Sequence, residues 1–138
     1  MIIATLAATA ALSKCTPIPG AAQLWEAPSV RYVMVGETHG TRETPDFFAD
    51  LVCLASTKRR VIVAVEQDTA GQPAIDAFMR SRGDLAAREA FVQAIWPTGL
   101  DDGRGSEAMV DLFDRLRQYQ QSGRVQRVVA FRGSLTED

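Results

Sequence analysis

The chain has 138 residues, one domain's worth, and its fifteen Lys and Arg against seventeen Asp and Glu leave a net charge of −2. With 46% hydrophobic and 23% charged residues, wholesale disorder and collagen-like order are excluded, and the lack of a basic excess argues against a nucleic-acid partner. A single histidine, His39, excludes a zinc site with two or three histidines from one chain, and any Ser-His-Asp or Cys-His arrangement has only that residue to use.

The chain opens on an Ala-rich apolar run, residues 1–12, in which Ala8-Thr9-Ala10 resembles a small-residue cleavage site. No basic region precedes it, and it is too short to span a bilayer, so no membrane span is expected. Lys14 before Cys15 does not suit a lipoprotein box, and periplasmic or secreted and cytoplasmic residence both stay open. Residues 1–23 are therefore set apart as a signal-like or disordered segment. Pro17, Pro19 and Gly20 mark a linker, and residues 24–138 form one α/β domain. The two cysteines allow at most one disulfide and no CxxC motif. Cys53, in an apolar helical pattern, reads as a buried free thiol.

Arg31-Tyr32-Val33-Met34-Val35 reads as a first buried strand, ended by Gly36. A helix over residues 45–57 follows, with Thr44 as its cap and Pro45 at its first position. Its apolar stripe is Phe47, Phe48, Leu51, Val52 and Ala55, and Lys58-Arg59-Arg60 reads as a solvated basic end. Val61-Ile62-Val63-Ala64-Val65 is a continuous apolar run, as in a strand buried on both faces of a parallel sheet. Short helices are expected over residues 73–80 and 84–95, with Asp84 as a cap. A loop rich in Gly and Pro runs over 96–105. Ser106 caps a helix carrying Met109, Leu112, Phe113 and Leu116, Gly123 stops it, and residues 125–131 form a third strand. The fold class is α/β, a three-layer βαβ-type domain with a short parallel sheet.

Strand one leads into Gly36-Glu37-Thr38-His39-Gly40, and the 61–65 strand leads into Glu66. In an open parallel sheet the ligand crevice lies outside the carboxyl ends of the strands. Paired side by side, the two strands would bring Glu37, His39 and Glu66 to one cleft. An imidazole there can take a proton from water while a carboxylate orients it. The same trio could instead hold a divalent ion with open positions. A plain βα loop, with His39 capping a helix or facing solvent, is equally consistent with the spacing.

The order Val35-Gly36-Glu37-Thr38-His39-Gly40-Thr41, then the helix with Phe47 and Phe48, then Val63-Ala64-Val65-Glu66, resembles the erythromycin-esterase-like, Tiki and ChaN-like superfamily. The resemblance spans residues 31–131, with its specific part at 36–40 and 66. It implies a hydrolase-like site acting on a small-molecule ester or amide, with His39 activating water and Glu37 and Glu66 shaping the cleft. Gly36, Thr38, Gly40 and Arg104 would contact substrate. The Tiki branch implies a metal centre at Glu37, His39 and Glu66, and the ChaN-like branch implies haem or iron handling. The chain corresponds to the N-terminal half of such a fold, which carries an expectation either of self-association to complete the sheet, as a homo-oligomer, or of an inactive assembly fragment.

Overall fold

A computed structural model describes residues 14–97 and 104–133 of the chain. Two runs rich in Val and Ala become strands, β1 (Val61–Asp68) and β2 (Val125–Arg132), and they pair in parallel as a two-stranded sheet. Val63, Ala64 and Val65 stand opposite Val128, Val129 and Ala130, with register irregularities between Val61 and Ile62 and between Val65 and Asp68. Among the described residues five α-helices accompany them: α1 (Ala22–Glu26), α2 (Glu43–Ser56), α3 (Gln72–Arg80), α4 (Leu85–Ile95) and α5 (Glu107–Gln121). The α/β class of the sequence reading stands.

The helix signals act as expected where a side chain meets a free backbone N–H. Asp84 Oδ1 accepts from Ala87 N at 3.1 Å to start α4, and Ser106 Oγ accepts from Met109 N at 3.3 Å to start α5. Gly123 ends α5 with φ +79°, a left-handed conformation that favours glycine. At α2 the helix begins at Glu43, one residue before the expected cap Thr44, and no side chain caps it.

The core lies on one face of the sheet. Val63 and Val65 of β1 and Val125 and Val128 of β2 are buried against Cys53, Ile75, Phe78, Met79, Leu112, Phe113 and Leu116 from α2, α3 and α5. Helix α5 contributes the most, burying both apolar ridges and the stem of Arg117. Phe113 packs against Phe91 at 4.9 Å between ring centres, and Phe91 stacks on Phe78 at 4.5 Å. The opposite face is open, because Ile62, Ala64 and Glu66 alternate outward and Ile62 is 61% exposed. The reading of this run as buried on both faces is thereby corrected, because among the described residues no second layer covers the outer face. Phe47, placed in the apolar stripe of α2, is also 43% exposed.

The largest correction concerns residues 31–35, which form no strand. Tyr32 is 89% and Met34 94% exposed. A β-favouring composition is a preference for a pleated, half-buried surface, and without a paired neighbour it does not make a strand. This stretch is held at both ends. The Arg59 guanidinium donates to the Trp25 carbonyl at the start of β1, and Arg42 pairs with Asp111 at 3.4 Å beside α2.

Residues 14–21 are tied into the domain as well. Cys15 is disulfide-bonded to Cys53 across 38 positions, which corrects the free-thiol reading of Cys53. Ala21 is buried. The alanine-rich run over 1–12 and most of the loop over 96–105 lie outside the described residues.

The two edges of the sheet differ. At β2, Gln72 Nε2 donates to the Val128 carbonyl at 3.1 Å, and Ala130 N donates to Gln72 Oε1 at 2.7 Å. The side-chain amide thus takes the place of a neighbouring peptide, and Asp76 holds it by accepting from Nε2 at 2.8 Å. Replacing Gln72 by Ala strips partners from two strand groups at once. A loss of about 2 kcal/mol is expected in urea unfolding, with faster amide exchange at Ala130. An unchanged midpoint would show that water serves these groups equally well.

Candidate functional site

The Gly36–Gly40 stretch forms the approach to α2. Thr41 Oγ1 donates to the Thr38 carbonyl at 3.0 Å and lies 3.3 Å from Thr44 Oγ1, which closes the turn onto the helix start. Gly40 takes φ +83°, a left-handed conformation that favours glycine. A Cβ added at Gly36 or Gly40 would meet nothing within 4 Å, so both positions leave room beside the backbone. Glu37 and His39 are half-buried on this turn, while Gly36 and Thr38 are exposed.

Helix α2 returns to the start of β1 through residues 57–60 only. Its N-terminus, and the Glu37–His39 turn before it, therefore lie toward the carboxyl end of β1. Glu66 lies at that end too, but inside the strand rather than after it, because β1 runs on to Asp68. Its side chain is on the open face, so it bears no burial cost of the kind expected at a buried strand end. The register irregularity between Val65 and Asp68 spans Glu66 and Gln67, and such irregularities commonly re-aim a side chain.

The structure joins Glu37 and His39 on one turn and keeps Glu66 on a separate element. Among the described residues, no three of His, Cys, Asp and Glu form a group that could hold a metal ion. Glu37, His39 and Glu66 thus do not make the three-donor set a divalent ion would need, and the residues present do not fit that cofactor.

A cavity of about 250 Å³ opens at the carboxyl end of β1, lined by Gln67, Asp68, Ala70, Gly71, Ala94, Ile95 and Pro97. Its volume falls below the usual range for a small-molecule site and His39 is not in its wall, so it does not suit a haem ligated by His39. Gln67 is buried and Asp68 accepts from Ala70 N at 2.8 Å. Both were missed by ending the strand at Val65. The Val63, Val65, Gln67 alternation was the available signal.

Arg104 is half-buried ahead of α5, while Asp101, Asp102 and Gly103 of the same loop lie outside the described residues. The charged surface between α2, α4 and α5 is organised around Asp111, which pairs with Arg42 and with Arg88 at 2.8 Å. The hydrogen bond from Arg88 to Asp111 raises the Arg88 pKa further above its ordinary value, so this guanidinium is a fixed cation. Burial pulls the pKa of Arg115 down, but its hydrogen bonds to Asp50 and Tyr119 outweigh that and raise it overall. Among the described residues no helix is long and apolar enough to cross a membrane.

Comparison with protein-family models, with curated proteins and with solved structures returns no match, so the likeness to the esterase-like superfamily rests on the residues at 36–40 and 66.

Proposed function

We propose that the chain is a hydrolase-type α/β domain in which His39 activates water against a small ester or amide. The observation that carries this reading is positional. The Glu37–His39 turn leads into α2, and the return of α2 through residues 57–60 sets that turn toward the carboxyl end of β1, the end at which parallel sheets hold their ligands. In the reaction, the His39 imidazole takes one proton from water as the oxygen adds to the substrate carbonyl. The imidazolium then returns that proton to the departing alcohol or amine as the acyl bond breaks. Glu37, on the same turn, orients the ring. Glu66 supplies a carboxylate from the open face at the same end of β1, and Gly36, Thr38 and Gly40 border the substrate. Arg104 supplies a cation for an anionic substituent.

Replacing His39 by Ala is expected to lower turnover of an activated ester such as p-nitrophenyl acetate by about 10²-fold or more. Because His39 sits on a turn outside the buried core, far-ultraviolet circular dichroism should be unchanged. Equal rates for the two proteins would remove the reading.

A further inference from the structure

The sheet ends differently on its two sides. Gln72 occupies the outer edge of β2 through Val128 and Ala130, whereas among the described residues β1 pairs with β2 alone. Backbone groups of successive strand residues turn to alternate sides. If Val128 and Ala130 address Gln72, then Val129 addresses β1, and the register puts its partners at Val63 and Val65. The N–H and C=O groups of Ile62 and Ala64 therefore face the edge that is unpaired among the described residues. The side chains of Ile62, Ala64 and Glu66 lie on the open face.

We propose that this free edge pairs antiparallel with β1 of a second copy of the chain, about a two-fold axis at Val63. The result is a four-stranded sheet whose ends join Arg60 of each copy to Glu66 of the other.

Parity and charge select this register. Outward-facing residues must meet outward-facing residues, so even positions pair with even positions, and the axis must pass through a residue. With the axis at Val63, Ile62 meets Ala64 of the second copy and Arg60 meets Glu66. With the axis at Ala64, Ile62 would face Glu66, setting an aliphatic side chain against a carboxylate. The strand is basic at one end and acidic at the other, and an antiparallel two-fold sets each end against its complement. Arg60, Ile62 and Glu66 are all exposed in the single chain, so they are available for this contact. A contact of this kind is isologous and closes at two copies. It also brings Arg60 of the second copy beside Glu66 at the proposed site, yet it does not depend on hydrolysis and is read by mass rather than turnover.

The test is the mass of the full chain by sedimentation or light scattering. The unaltered protein should have twice the chain mass. Arg60→Glu and Glu66→Arg should each raise the dimer dissociation constant about tenfold, since each reversal acts at both ends of the two-fold. The double variant should restore it. Both positions are exposed, and circular dichroism will show that each variant keeps its helices. A monomeric unaltered protein overturns the proposal, as does a double variant no tighter than the single ones. Strong amide protection of residues 31–35 in a monomer overturns it too, by giving the edge to the chain's own segment.

Discussion

Replacing Cys15 and Cys53 together by alanine should lower the unfolding free energy by about 3–4 kcal/mol. The disulfide closes a loop of 38 positions, and cross-linking a loop of that length removes about this much entropy from the unfolded chain. Against a typical total of about 5–15 kcal/mol, the change is large. The native side adds to it. Arg124 donates to Cys15 Sγ at 3.0 Å and to the Cys53 carbonyl at 3.1 Å, while its guanidinium lies 5.6 Å from the Tyr119 ring centre. The bond thus fastens residues 14–21 to α2 and to the start of β2 through one cation. Urea unfolding with and without a reducing agent measures the effect, and amide exchange at Ala21 should rise on reduction. A midpoint indifferent to reductant would mean that the bond does not constrain the unfolded chain. Bonds of this kind persist in oxidising compartments, so purification under reducing conditions should yield the less stable form.

Phe113→Ala is the second large effect. The side chain is 0% exposed and lies between Phe91 and Trp96, with ring centres 4.9 and 6.3 Å away. Truncating it leaves a cavity among the rings that join α4 to α5, at a cost of about 3–5 kcal/mol. For a domain of this size the melting temperature should fall by about 10 °C or more. Phe47→Ala, on the exposed side of α2, should change stability by less than about 1 kcal/mol and serves as the control. Similar losses for the two would contradict the placement of the core.

Helices were legible in the sequence because their signals are local. Asp84, Ser106 and Gly123 act on backbone groups within four residues, and the apolar spacing of α5 needs no knowledge of its neighbours. Strand signals depend on a partner. Residues 61–65 and 125–131 have one and form strands, while residues 31–35, with an equally β-favouring composition, have none and stay outside the sheet. The site was read on the assumption that all three were strands. Without the first, Glu37 and His39 remain on their turn and Glu66 remains on β1. The disulfide was illegible for a similar reason. Cys53 sits in an apolar stripe and reads as a core residue, and only the tertiary path of residues 14–21 brings Cys15 to it.

The carboxamide of Gln72 sets a direction on how this sheet can grow. A polymer of strands needs two sticky sides on every unit, one to receive and one to offer. Here the β2 side is stoppered by a group that belongs to the fold and is braced by Asp76. Any strand recruited to the sheet must therefore arrive at β1, and whatever arrives ends the series. Gln72→Ala should then carry a second cost besides lost stability: a molecule with two open sides, able to form fibres.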